Sequence, residues 1–229
     1  MKINIILITV LMLGLISLES CNSANGNTYM ENTQSQNSLL KAVANQDVQA
    51  TKEILKSKPD LEIRDDKART ALMIATYNFD NEIAKLLIDA GADVNAQDAM
   101  ENSPFLYAGA EGNVELLKMC LENGADFNLY NRYGGTALIP AAEKGHLEIV
   151  KILTKIEDYP IDHVNKLGWT ALLEAVILSE KSDVQTAIVK TLVEAGADIN
   201  IPDNDGVIPL QHAKNKSLTE VVEILSQAK

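Results

Sequence analysis

An all-α solenoid of about six stacked helix-turn-helix repeats is the fold this sequence predicts, and three observations carry the prediction. A six-residue opening returns at a near-constant interval. TALMIA at Thr70, SPFLYA at Ser103 and TALIPA at Thr136 lie 33 residues apart, and TALLEA at Thr170 and IPLQHA at Ile208 follow. Behind each opening comes a second apolar pattern, as in Ile83, Ala84, Leu87 and Leu116, Leu117, Cys120. Its i, i+1, i+4 spacing is one face of a helix. Between copies the chain runs through Gly-Ala-Asp three times, at Gly91, Gly124 and Gly196. A period of this size marks units that bury their apolar faces only against their neighbours. Composition agrees: the chain is 46% hydrophobic with 4% aromatic residues, which suits a core of Leu, Ile, Val and Ala in helices.

The first element, residues 1–20, differs from the rest. It carries one positive charge, Lys2, and runs apolar from Ile5 to Leu18. Fourteen helical residues reach about 21 Å, short of the ~30 Å hydrocarbon core, so a signal peptide fits better than a membrane span. The order Leu18, Glu19, Ser20, Cys21 resembles a bacterial lipobox, in which the cysteine is lipidated and becomes the first residue of the mature chain. Glu19 departs from that pattern. Ordinary secretion and an uncleaved anchor are the other readings. With Cys21 lipidated, Cys120 stands alone and no disulfide forms. Cys120 replaces Leu87 and Leu153 of the neighbouring copies, so it reads as a small buried apolar side chain. Residues 21–36 are the lipidated cysteine and a tether rich in Asn, Ser, Thr and Gln, which reads as flexible.

The repeat domain is expected over 37–229, with repeats near 37–69, 70–102, 103–135, 136–169, 170–207 and 208–229. The copy opening at Asn37 is weaker than the others. Thr70, Ser103, Thr136 and Thr170 sit where a hydroxyl caps the first helix of each pair. Pro104 and Pro209 follow at a position where the missing N–H costs nothing. Gly112 and Gly145 break the chain between helices, and Gly91, Gly124 and Gly196 end the second helix in the left-handed conformation. Pro140 falls inside the fourth copy's first helix, which should therefore start late or kink. That copy ends KIEDYPIDHVN without glycine, so its turn should be irregular. The five extra residues Ser179–Asp183 read as a longer loop, and Thr219–Lys229 as a polar terminal cap exposing Glu220, Glu223, Gln227 and Lys229.

These residues resemble the ankyrin repeat. The resemblance rests on the Thr-Ala-Leu openings, Gly145-His146 with LEIVKIL behind it and the three Gly-Ala-Asp runs, and it covers about Asn37 to Lys229. It implies paired helices joined by protruding turns, with no catalysis. No copy carries the family's histidine at the fourth place of its opening, where Met73, Leu106, Ile139, Leu173 and Gln211 stand. The hydrogen bonds of that histidine should be missing, with packing in their place.

The search for chemistry is short. Three histidines are scattered: His146 matches the family's Gly-His break, His163 lies in the irregular turn and His212 in the last opening. No Cys-x-x-Cys pair, phosphate loop or nucleophile-elbow serine is written in the chain. Asp65 matches Asp98, Asn131, Asn165 and Asp203, so it reads as a turn former rather than an acid catalyst. No enzyme, metal or cofactor is expected.

The resemblance implies instead a concave groove lined by turn tips and first helices. Carried onto this chain, the tips are Asp66, Lys67 and Arg69; Ala99, Met100 and Asn102; Arg132 and Tyr133; Lys166, Leu167 and Trp169; and Asn204, Asp205 and Val207. Tyr77, Asn78, Glu111, Glu143 and Lys144 should face the groove from the helices. Binding hot spots favour Trp, Tyr and Arg, which makes Trp169, Tyr133, Arg132 and Tyr77 the expected anchors. The other reading of Trp169 is packing on its neighbouring turn.

A formal charge of −12 and a pI near 4.7 disfavour nucleic acid and favour a basic protein partner, although solubility accounts for acidity equally well. The expected function is protein binding by a lipid-tethered domain that faces the periplasm or cell surface and is a monomer when free. Its role would be an envelope scaffold or accessory factor, with an immunity protein that blocks a toxin in the periplasm, or a secreted effector binding host proteins, as alternatives.

Overall fold

The computed structural model describes residues 38–178 and 182–228, and the expectations for the signal segment, Cys21 and the tether lie outside them. Among the described residues there is no strand, and no helix is long and apolar enough to cross a membrane. The described residues form twelve helices in six hairpins. The first pair is α1 (38–44) and α2 (Val48–Leu55), the second α3 (Ala71–Tyr77) and α4 (Asn81–Asp89), the third α5 (Pro104–Ala110) and α6 (Val114–Glu122). Then come α7 (Leu138–Glu143) with α8 (Leu147–Leu153), α9 (Ala171–Ile177) with α10 (Asp183–Glu194), and α11 (Pro209–Asn215) with α12 (Thr219–Gln227).

Stacking follows the period. First helices pack in the order α3, α5, α7, α9, α11, and second helices in the order α2, α4, α6, α8, α10, α12. One continuous core results, with Leu39, Leu72, Leu87, Leu117, Leu138 and Leu153 among its fully buried side chains. Cys120 is buried within it, and burial pushes its thiol up to about 12, so it behaves as an apolar filler. At Gly109 the spacing between neighbouring repeats leaves no room for a side chain: a Cβ there would lie 2.7 Å from Ala137 Cβ.

The caps explain where helices begin. Thr70, Ser103 and Thr170 each accept the backbone N–H three residues on. The second helices are capped by Asp47, Asp80, Asn113 and Ser182, a signal the sequence reading overlooked. The left-handed residue at the turn before the second helix is Gly112 or Gly145 in the middle repeats but Gln46, Phe79 and Ser217 elsewhere, and α8 and α12 start without a side-chain cap.

Two expectations need correction. Thr136 does not cap: α7 starts one residue late, at Leu138, and the Thr136 hydroxyl is buried without a hydrogen bond. Pro140 explains the late start, as expected, because it has no N–H to give Thr136 O and so removes the bond that would close the first turn. The insertion Ser179–Asp183 is not all loop. Ser182 caps α10 and Asp183 opens it, making α10 12 residues long, while residues 179–181 lie outside the description. Packing fills the place of the missing histidine in four copies, where Met73, Leu106, Ile139 and Leu173 are all buried. The irregular fourth turn is as expected, with Asp158 in the left-handed conformation and Tyr159 folded inward. Glu220, Glu223 and Gln227 of the terminal helix are exposed, and Lys229 lies outside the described residues.

Candidate functional site

Five turn tips project from the stack, and one carboxylate or amide builds each. Asp65, Asp98, Asn131, Asn165 and Asp203 accept the backbone N–H groups two and four residues on through a single oxygen at 2.8–3.0 Å. Their own N–H groups bond back to the carbonyl four residues later, closing the loop. Because a short acceptor side chain sets the loop, the residues between are free to differ from copy to copy. Neighbouring tips are joined as well: Ala99 N–H donates to Lys67 O at 3.0 Å, Lys166 N–H to Tyr133 O at 2.8 Å and Asn204 Nδ2 to Leu167 O at 2.9 Å.

The second side-chain atom of four of these turn formers is engaged as well. Arg69 Nε donates to Asp65 Oδ2 at 2.8 Å, Tyr77 OH to Asp98 Oδ2 at 2.6 Å, and His212 Nε2 lies 2.7 Å from Asp203 Oδ2. In the fifth copy the amide of Asn165 donates to Glu174 Oε1 at 3.3 Å. Glu174 and His212 both stand one place after the fourth position of their openings.

The tips set the predicted side chains in a row. At the position two residues after each turn former stand Lys67, Met100, Tyr133, Leu167 and Asp205. The three apolar members are exposed, at 44%, 52% and 52%, side by side across three repeats. Arg132 joins them: its guanidinium lies 4.7 Å from the Tyr133 ring centre, donates to Tyr133 OH at 2.8 Å and reaches Met100 Sδ at 3.5 Å. Lys166 Nζ donates to Arg132 O at 2.9 Å.

Two hollows lie under this row. Lys67, Arg69, Tyr77, Asp98 and Met100 line one. Tyr133, Leu167 and Trp169 line the other with Ile139, Glu143 and Glu174 beneath. Every predicted anchor therefore reaches a hollow or the row above it, but they do not converge on one spot. Tyr77 is committed to the scaffold: its hydroxyl is held by Asp98 and by Asn102 at 3.0 Å, and burial, then the Asp98 bond, pushes the phenol up to about 12. Arg69 is likewise paired with Asp65. Trp169 is half-buried, with its ring in the second hollow and its backbone in the tip. Of the helix residues, Lys144 and Glu111 pair across repeats at 2.6 Å, and Asn78 donates to Val43 O at 3.3 Å. Glu143 remains exposed at the rim.

The histidines are structural. His146 fills the space a Cβ on Gly112 would need. His163 stacks on Tyr130 at 4.2 Å and lies 2.6 Å from Gly134 O. Among the described residues no three His, Cys, Asp or Glu side chains gather as metal ligands.

The sequence reading missed Glu174. It is 4% exposed, and its Oε2 has no hydrogen-bond partner. Burial, then the charge of Glu143, pushes its carboxyl up to about 7 against the Asn165 bond, which lowers it. Its signal was present in TALLEA, a charged residue at a place held by Ile74, Tyr107 and Pro140 in other copies. The folded chain thus keeps a proton that the unfolded chain releases near 4.5. This contribution to stability is whole below that pH and is lost as pH rises through about 7. Glu174→Gln is expected to melt like the parent at pH 5 and to be more stable at pH 8. The gain should be on the order of 1 kcal/mol, because the open groove screens part of the effect. Paired melts at the two pH values check it; equal stability at both would contradict it.

The comparisons agree on the architecture. A family model described as Ankyrin repeats (3 copies) matches residues 10–98 and 105–203. YahD of Escherichia coli (strain K12), named as an ankyrin repeat protein, is 37% identical over 68 residues, which span 30% of this chain and only 34% of that protein. The crystal structure of an ankyrin repeat domain from Acinetobacter baumannii AYE superposes with a TM-score of 0.81 at 49% identity, covering 83% of this chain and 96% of that one. For EF0377, an ankyrin repeat protein, the values are 0.82, 45%, 85% and 98%. The ankyrin repeat domain of Bcl-3, a member of the IkappaB protein family, gives 0.73 at 25% identity over 83% and 85% of the two chains.

Proposed function

This chain belongs to the ankyrin-repeat family, whose repeats bind protein partners, and on that premise we propose that it grips one protein in the groove under the row Met100, Tyr133 and Leu167. The observation that carries the reading is that row itself. Three large apolar side chains stay exposed in one row on adjacent tips, with a half-buried tryptophan below them, whereas the other exposed ones, Phe79, Val164, Leu178 and Val184, do not share that tip position. Exposed apolar surface gathered in one place marks an interaction site. Among the described residues nothing points to catalysis, and no three His, Cys, Asp or Glu side chains gather as metal ligands.

We propose further that the domain is held at a membrane by lipid on Cys21 and serves the cell envelope as a scaffold or accessory factor. The apolar run Ile5–Leu18, the order Leu18 to Cys21 and the polar tether support this reading. An immunity protein blocking a toxin is the second reading, favoured by the charge of −12, because a blocker must draw its target quickly. For the tether, Cys21→Ser should release the protein from the membrane fraction and abolish palmitate labelling. A wild-type chain that takes no label, or a variant that stays bound, would rule the lipid anchor out.

A further inference from the structure

Of the two hollows, the one beneath Tyr133 and Trp169 has an unusual floor. Glu174 is more than nine-tenths buried there, with Oε1 engaged by Asn165 and Oε2 left without a partner. A buried carboxylate oxygen with nothing to accept costs stability, and folds seldom leave one. The charge that bears on it is that of Glu143, a second carboxylate, exposed at the rim. The nearby cations are spent elsewhere: Lys144 pairs with Glu111, while Arg132 lies on Tyr133. The hollow thus combines two acidic groups, an unfilled acceptor and aromatic walls, in a chain of net charge −12.

We infer that this hollow is the seat for a lysine side chain of the partner, its ammonium meeting Glu174 Oε2 beside Glu143 and its stem lying along Trp169. This deepens the groove reading and rests on it. Aromatic faces favour a cation and the apolar part of its stem together. Lysine is preferred over arginine because a guanidinium fork binds best to both oxygens of one carboxylate, and here Asn165 already holds one. A compact ammonium needs only the other.

Trp169 is the one tryptophan in the chain and lines the hollow, so its fluorescence reports directly on occupancy. The probes are neutral-flanked pentapeptides with a single central lysine, arginine or norleucine, titrated into the repeat domain held on the full chain at pH 8. The lysine peptide should shift the Trp169 emission saturably, and norleucine should be at least tenfold weaker. Glu174→Gln should lose the lysine response by about tenfold. Because that variant is expected to be more stable at this pH, the loss would not reflect unfolding. Glu122→Gln, which removes one charge from an exposed site on α6, should leave the response unchanged and so exclude bulk attraction. An equal response to lysine and norleucine, an arginine peptide that binds more tightly, or a Glu174→Gln variant that binds as well as the parent would overturn the lysine seat. The groove reading would survive each of these outcomes, since it is tested separately through Tyr133 and Trp169.

Discussion

Alanine at Tyr133 and Trp169 together is expected to weaken partner capture by at least about 2 kcal/mol, roughly a 30-fold rise in Kd. Tyr133 is 52% exposed and Trp169 half-buried, so both rings offer surface that the fold itself leaves uncovered. The tips should survive the change, because their bonds come from backbone groups of these residues onto Asn131 and Asn165 rather than from the rings. Circular dichroism and melting temperature should therefore stay near those of the parent while binding, measured by titration against the purified partner, falls. Unchanged affinity would move the interface away from the tips, toward the far side of the stack or the segment around Ser182.

Leu117→Ala is the largest change expected in the scaffold, at about 3 kcal/mol within a range of roughly 2–5. Leu117 is fully buried in α6, which packs between α4 and α8. A cavity there weakens two inter-repeat interfaces at once. In a stack held by nearest-neighbour contacts, such a loss can uncouple the array as well as soften it. Urea unfolding should show a lower midpoint, and a smaller m-value if the two ends separate. Glu122→Ala, on the exposed side of the same helix, should stay within about 0.5 kcal/mol of the parent. A Leu117→Ala midpoint equal to that of the surface control would mean that α6 is not packed as described.

Period and composition made the scaffold legible. Five openings in register placed the hairpins, and Thr70, Ser103 and Thr170 cap as their chemistry dictates. Thr136 failed as a cap, although the late start of its helix was legible from Pro140, whose missing N–H leaves Thr136 O without its helical bond. Ser182 and Asp183 failed for a different reason: an insertion has no period of its own, and a serine able to cap drew part of it into α10.

The groove was legible only in outline. The resemblance placed the tips correctly, yet exposure separated Tyr133, Leu167 and Met100 from Tyr77 and Arg69, whose polar ends are used inside the fold. Periodicity could not foresee that, since it depends on which side chain of the folded repeat comes to stand next to its turn former. Glu174 was hidden by the same logic, as its neighbours Asn165 and Glu143 come from different hairpins.

The central claim is that the tip side of this stack, and not its outer helices, is what holds the partner. Photocrosslinking in intact cells tests it most directly, with a benzophenone amino acid placed in turn at positions 133 and 122. The account predicts a discrete adduct of one defined partner from position 133 and none from position 122. Adducts from position 122, with position 133 silent, would contradict it.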